Sequence, residues 1–254
     1  MPEGDTIRYA VNRIRPILLG RVPDEIATPH PRHRMDRWPE RLAGREVVSV
    51  DAHGKHLFLR FEGGLTIHSH LRMTGSWRIL DADRRPSRAA WLAIRRDDKT
   101  VVQFRGPVLE LMTDSRTRFD QRIAGLGPDI LAETFDHARF LRRLREDDPT
   151  RPIGDAVIDQ RIVAGIGNLW KAEACHAAEI DPWRRTGEVS DEEAIAIVDA
   201  ARPRMQASAR GGHPRNQQVY NRAGRPCPRC GTRIEARGQW DDNRTTFWCP
   251  GCQR

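Results

Sequence analysis

Four cysteines give the clearest chemical signature in this chain. CPRC at 227–230 and CPGC at 249–252 form C-x2-C-x18-C-x2-C, the spacing of a tetrahedral four-thiolate metal site. Four thiolates leave no open coordination position, so one bound Zn2+ per chain would be structural. A redox pair or an iron site is the other use of this spacing. The 26 residues from Cys227 to Cys252 are too few for a hydrophobic core. Metal binding, about 10–16 kcal/mol in small zinc modules, would supply the folding free energy. Cys175, alone in a helical stretch, reads as a small buried side chain.

A second chemical signature is the start, MPEGDT. Removal of Met1 would expose Pro2 as a secondary amine, and an α-amino group titrates low enough to be partly neutral near pH 7. Such an amine attacks an aldehyde-like carbon to give an iminium, the electron sink of Schiff-base catalysis. Glu3 beside it could move the protons required. A third is QRIVAGIGNLWKAE at 160–173. Gly165 and Gly167 permit a tight turn, Asn168 suits a helix cap, and the exposed N–H groups of such a loop bind phosphate. Arg244, where a second ribbon strand would begin, reads by itself as a surface charge.

The elements that must position these residues follow from periodicity. Residues 7–18 carry apolar side chains at helical spacing, with Pro16 expected to end or bend the helix. From about 46 to 112, seven short runs of period two are separated by turns, which predicts a mainly antiparallel β-sandwich. After GLGPDIL at 125–131 the pattern turns helical, at 136–145, 152–161, 168–178 and 190–209. The expected fold class is α+β and multidomain. A helix plus sandwich fills 1–120, a linker 121–132, a helical domain 133–218 and a zinc module 219–254. ARGGHPRNQQ at 209–218 reads as a connector.

The 254 residues carry a formal charge of +8. Residues 200–254 hold eleven arginines against Glu235, Asp241 and Asp242, so the whole excess lies in the last fifth of the chain. That is a polyanion-binding signal, nucleic acid being the commonest polyanion. Only three basic residues are lysines, Lys55, Lys99 and Lys171. No run of about 18 apolar residues exists, which argues against a membrane span. The charged first twenty residues do not read as a secretory signal, so a cytoplasmic, reducing setting is expected.

Taken together, MPEGDT, GKHLFLRF at 54–61, QRIVAGIGNLWKAE and RTTFWCPGCQ at 244–253 resemble the formamidopyrimidine-DNA glycosylase/endonuclease VIII family of base-excision repair enzymes. The resemblance spans nearly the whole chain. It implies an N-terminal helix on a β-sandwich, a helix–two-turns–helix domain and a zinc finger. It implies a bifunctional glycosylase/AP lyase in which Pro2 attacks C1′ of the damaged nucleotide and nicks the strand by β,δ-elimination. Glu3 would then be the acid/base partner at the sugar ring oxygen. Lys55 would contact phosphate and serve β-elimination, Asn168 would bind the DNA backbone, and Arg244 would grip phosphate and serve δ-elimination.

The family inserts a wedge into the gap left by an extruded base, and Arg72 and Met73 in HSHLRMTGSW fall on that loop. Met73 could equally be a core residue. DSRTRFD at 114–120 only partly matches the Arg–Phe wedge of the purine-acting branch. Where the endonuclease VIII branch can carry a DNA-contacting arginine this chain has Gly125, with Arg122 close by. MPEGDT favours the endonuclease VIII branch and oxidised pyrimidines. The expected partner of this presumed monomer is damaged DNA, and no metal enters the chemistry. The competing readings are a purine-type glycosylase acting on 8-oxoguanine or formamidopyrimidine, and a non-catalytic damaged-DNA-binding protein on the same scaffold.

Overall fold

Alternation in the strands decides the first unit. In HLFLRF, Leu57, Leu59 and Phe61 share one face and enter a common core, while His56, Phe58 and Arg60 share the other. In the computed structural model of the chain, which describes residues 2–33, 35–84, 86–87, 89–212, 216–239 and 244–254, this strand lies inside a four-stranded sheet. Met1, residues 213–215 of the expected connector and residues 240–243 at the expected ribbon tip lie outside the described residues.

That sheet runs β2 (Val47–His53), β3 (His56–Phe61), β4 (Leu65–His70), β8 (Val108–Thr113), antiparallel throughout. The other runs β1 (Glu25–Ala27), β6 (Ala90–Arg96), β7 (Lys99–Phe104), β5 (Ser76–Asp81), also antiparallel. Helix α1 (Gly4–Leu18) contributes Ile7, Val11, Ile14 and Leu18 to the core of the sandwich. It starts within a few residues of the N-terminus, as the apolar spacing over 7–18 implies. Pro16 lies inside it and does not stop it at once; the helix runs two residues further, to Leu18. Short helices α2 (Trp38–Leu42), α3 (Asp114–Phe119) and α4 (Gln121–Ala124) complete this part and had no periodic signal.

The chain forms two compact units, residues 6–124 with the N-terminal tip through Pro2, and residues 3–5 with 125–254. The second unit holds α5 (His137–Arg145), α6 (Ile153–Ala156), α7 (Asn168–Ala177) and α8 (Asp191–Gly211) around Phe140, Leu144, Trp170, Ile197 and Met205. The helix expected over 152–161 is only the four residues of α6. Beyond it, Asp159 accepts from the Arg161 N–H, and the Gln160 amide bonds Ile158 O, Ile166 O and Gly165 N. These side chains take over backbone partners that a helix would need. The hairpin β9 (Glu235–Gln239) and β10 (Arg244–Trp248) closes the unit. Its small core of Val219, Ile234 and Phe247 packs with Cys227 and Cys249. Among the described residues no helix is long and apolar enough to cross a membrane.

Candidate functional site

The glycine loop before α7 carries an anion, and that anion is the protein's own. Glu3 is 2% exposed. Its Oε1 accepts from Leu169 N at 2.9 Å, and its Oε2 from Gly167 N at 2.9 Å and Trp170 N at 3.3 Å. These are the donors that a helix N-terminus leaves unpaired. The expectation that they point at phosphate is therefore corrected. Gly167 is required here, since a Cβ on it would lie 2.4 Å from Glu3 Cδ. Gly4 N donates to Gly165 O at 2.9 Å, and a Cβ on Gly4 would lie 2.9 Å from Gly165 Cα. Ser208 Oγ donates to Asp5 Oδ2 at 2.5 Å. Residues 3–5 are thus fastened at three successive positions. Pro2, half-buried, is covalently next to Glu3 and two residues ahead of α1.

Asn168 is the first helical residue, and Gly167 occupies the N-cap position. The side chain of Asn168 does not cap α7. Its Nδ2 donates to Thr245 O in β10 at 2.8 Å, tying the loop to the strand that Arg244 opens. The Tyr220 hydroxyl is held above its ordinary pKa by burial and the Glu3 charge, against a hydrogen bond with Asn168.

Two further charges on α7 were given no role from the sequence, although Lys171 stood out as one of three lysines. Lys171 is fully buried, and its Nζ donates to Thr246 Oγ1 at 2.5 Å and Gln239 Oε1 at 3.1 Å. Burial pushes its pKa down to about 8; nearby Arg244 adds to the fall, and Asp155 and Glu3 oppose it. Glu173, also buried, accepts from the N–H groups of Gln218, Val219 and Tyr220 and from Arg204 at 2.8 Å. The available signal was charge at 171 and 173 inside an otherwise apolar helix.

In the first unit, Lys55 sits in the two-residue turn between β2 and β3, 8% exposed. The Arg72–Met73 turn follows β4. Arg72 has φ 48°, and its N–H donates to His70 Nδ1 at 3.2 Å. Met73 is 65% exposed, which removes the core alternative. Phe119, at the end of α3, is 74% exposed beside Arg118, a second apolar side chain presented to solvent. Arg122 is committed to Glu110 at 2.8 Å and Asp120 at 2.5 Å, so it does not replace the arginine missing at Gly125.

The four ribbon cysteines bring their Sγ atoms within 4.8 Å of one another. Cys227–Cys252 and Cys230–Cys249 are 3.8 and 3.5 Å apart, close to the ~3.8 Å edge of a tetrahedron with ~2.3 Å metal–sulfur bonds. Arg229 N–H donates to Cys227 Sγ at 3.4 Å, and His176 Nε2 lies at the same distance from that sulfur. The cluster fits a metal ion. Cys175 is fully buried, its thiol pushed up to about 12 by burial.

Residues 1–117 match the formamidopyrimidine-DNA glycosylase N-terminal domain, and residues 126–217 match the H2TH domain of the same enzymes. A probable endonuclease 8 2 of Streptomyces coelicolor is 40% identical, with 100% of this chain and 94% of that protein covered. A Mycolicibacterium smegmatis protein named DNA-(apurinic or apyrimidinic site) lyase Nei2 is 35% identical, with 100% and 99% covered. A Lactococcus lactis formamidopyrimidine-DNA glycosylase in complex with DNA containing Fapy-dG shares the fold, with a TM-score of 0.85 at 23% identity over 100% of both chains. With the sandwich, the helical unit and the four-cysteine ribbon all in place, this chain belongs to the formamidopyrimidine-DNA glycosylase/endonuclease VIII family.

Proposed function

We propose that this base-excision repair glycosylase/AP lyase excises oxidised pyrimidines and cuts the strand through a Schiff base on Pro2. The observation that carries the reading is the seating of Glu3. Three backbone N–H groups hold its carboxylate, and that fixes the direction in which the preceding residue leaves. With Met1 removed, the Pro2 nitrogen attacks C1′ of the extruded nucleotide, and the C1′–N bond to the base breaks. The Glu3 carboxylate takes the proton released by the attacking Pro2 nitrogen and passes it to O4′, which then leaves C1′, while the departing base takes a proton from water; an iminium remains between Pro2 and the opened sugar.

The iminium acidifies C2′. Loss of a C2′ proton expels the 3′ phosphate, and a further elimination expels the 5′ phosphate. Water then hydrolyses the iminium and frees Pro2. Lys55 and Arg244 hold the two phosphates, their positive charge offsetting the charge of each leaving group. Asn168 keeps the backbone in register. Cys227, Cys230, Cys249 and Cys252 hold one Zn2+, which cross-links the ribbon and takes no part in the chemistry.

Arg72, Met73 and Phe119 fill the space vacated by the flipped nucleotide. The basic C-terminal fifth clamps the DNA backbone, so affinity falls steeply with salt. Endonuclease 8 names among the relatives support the pyrimidine branch. The exposed Phe119 beside Arg118 is the observation that favours the purine branch.

The test is borohydride trapping on abasic-site DNA. Trapping is expected with the processed N-terminus and is expected to vanish in Pro2→Gly or with Met1 retained. No trapping by the processed protein overturns the mechanism and supports the non-catalytic reading. Faster release of 8-oxoguanine opposite cytosine than of thymine glycol, in one mixed assay, overturns the substrate choice.

A further inference from the structure

The face of the β2–β3–β4–β8 sheet opposite the core is built from imidazoles. Register pairs His53 with His56, His56 with His70, Phe58 with His68, and His68 with Glu110. His56 and His68 are buried and stacked, with ring centroids 5.1 Å apart and planes 9° from parallel. Phe58 stacks on His68 at 5.2 Å, and His70 meets His56 edge-on at 4.7 Å. His56 Nδ1 lies 2.8 Å from His68 Nε2, and His68 Nδ1 lies 3.4 Å from Glu110 Oε2. Glu110 in turn is clamped by Arg122.

The chemistry of this chain fixes where its protons are. An ionised carboxylate only accepts, so His68 carries its proton on Nδ1 and presents a lone pair at Nε2. His56 must then donate from Nδ1, which leaves its own Nε2 bare. Protonating both rings would set two N–H groups against each other at 2.8 Å. Burial keeps the rings neutral. It pushes His56 to about 2, and it lowers His68 despite the opposing Glu110 charge. His70 falls to about 4, through burial first and then the charges of Arg72 and Lys55. Its Nδ1 accepts from the Arg72 N–H, so its proton sits on Nε2.

The opposite face already supplies an apolar core through Leu57, Leu59, Ile67 and Leu109. A second buried face made of polar rings costs free energy unless each nitrogen is matched. Its geometry has a clear consequence. His56 immediately follows Lys55 and ends the turn that carries it.

We propose that His56 and His68 are positioning residues for strand cleavage: the chain Arg122–Glu110–His68–His56 orients the His56 ring and so holds the Lys55 turn. The inference rests on the elimination role proposed for Lys55. His68→Phe keeps the stacked ring but removes both nitrogens. His68→Gln keeps an amide oxygen able to accept from His56 Nδ1.

On preformed abasic-site DNA, His68→Phe is expected to slow strand cleavage about tenfold to hundredfold, the cost of a catalytic group misplaced by about an ångström. His68→Gln should recover most of that loss, and DNA affinity in His68→Phe should fall by no more than the few-fold expected from one of several phosphate contacts. In a Lys55→Gln background, His68→Phe should add nothing, because both act through one group. Full additivity there, or no recovery in His68→Gln, overturns the proposal. Imidazole 15N shifts of the wild-type protein decide the tautomers independently. Nδ1–H on both His56 and His68 is expected, and Nε2–H on either overturns the chain even if the substituted proteins do not fold. Normal cleavage by Lys55→Gln would sink the role of Lys55 instead, leaving the 15N result to judge the chain itself.

Discussion

The turns of the first unit that carry Lys55 and Arg72–Met73 and the glycine loop of the second are held by opposite means. Lys55 and Arg72–Met73 adjoin in sequence the ends of strands whose buried rings are neutral: burial suppresses charge on His56, His68 and His70, and Phe58 stacks on His68. The 165–170 loop and the ribbon behind it rest on buried charges, Glu3, Glu173 and Lys171. Trimming one partner of a neutral pair leaves an unmet donor or acceptor worth about 1–3 kcal/mol, whereas a buried ion pair that loses one partner costs about 3–5 kcal/mol. The second unit should therefore be the more brittle, and most so in its ribbon, which has the fewest apolar residues.

Metal removal tests that contrast most severely. A strong chelator, or Cys249→Ser, removes a cross-link whose analogues supply about 10–16 kcal/mol of folding free energy. β9 and β10 should then lose their order, freeing Asn168 from Thr245 and Lys171 from Thr246. DNA binding by fluorescence anisotropy should fall below detection in both, and return with one equivalent of Zn2+ in the chelated protein but not in Cys249→Ser, while the sandwich keeps its circular dichroism. Unaltered binding by the metal-free protein would refute the ribbon's role.

Gly167→Ala comes next. Its new Cβ would displace the Glu3 carboxylate, and with it the direction of Pro2. A loss of about 10²-fold in borohydride trapping is expected, the cost of an ångström at the reacting atom. DNA affinity should stay within a few-fold of the unaltered protein. Unchanged trapping would mean that the Glu3 seat does not direct Pro2.

How far the sequence could be read divides along the same line. The seven longer strands were legible, because a half-buried strand writes its period locally, as Leu57, Leu59 and Phe61 do. The four cysteines were legible because metal spacing is local as well. The seat of Glu3 was not, because its donors lie more than 160 residues away and no pattern near Asn168 announces that the helix is capped from elsewhere. Asn168 therefore read as a cap, although its amide belongs to Thr245. Arg122 stood in the sequence only as a basic residue close to Gly125, since Glu110 meets it only once β8 and α4 have formed. The imidazole layer was hidden because histidines at 56, 68 and 70 fit an ordinary polar face; only register stacks them.

Glu173 gives a smaller effect than Gly167 on chemistry and a clear one on stability. Glu173→Ala leaves Arg204 and the N–H groups of 218–220 without their acceptor. Removing one partner from a buried ion pair costs about 3–5 kcal/mol. Denaturant unfolding should show that loss in the second unit alone. If the sandwich weakens equally, the contrast between neutral and charged anchoring fails.

The subtlest test is Lys171, whose charge the fold disfavours. Its folded pKa of about 8 lies below the ordinary 10.5, so between those values the unfolded chain binds the extra proton. Stability from this group consequently rises with pH through that window. It is flat below about 8, where both states are charged, and flat again above 10.5, where both are neutral. Lys171→Met fills the same volume without the ammonium, leaving Thr246 Oγ1 to pair with Gln239. Replacing a buried charge by a packed apolar chain is often neutral or stabilising, by about 1–4 kcal/mol. The substituted protein should thus be at least as stable at pH 7 and should lack the rise between pH 8 and 10. If it is destabilised at pH 7, Lys171 is a net contributor to the fold; if it keeps the rise, the rise belongs to another group and the charge of Lys171 is not what the fold disfavours.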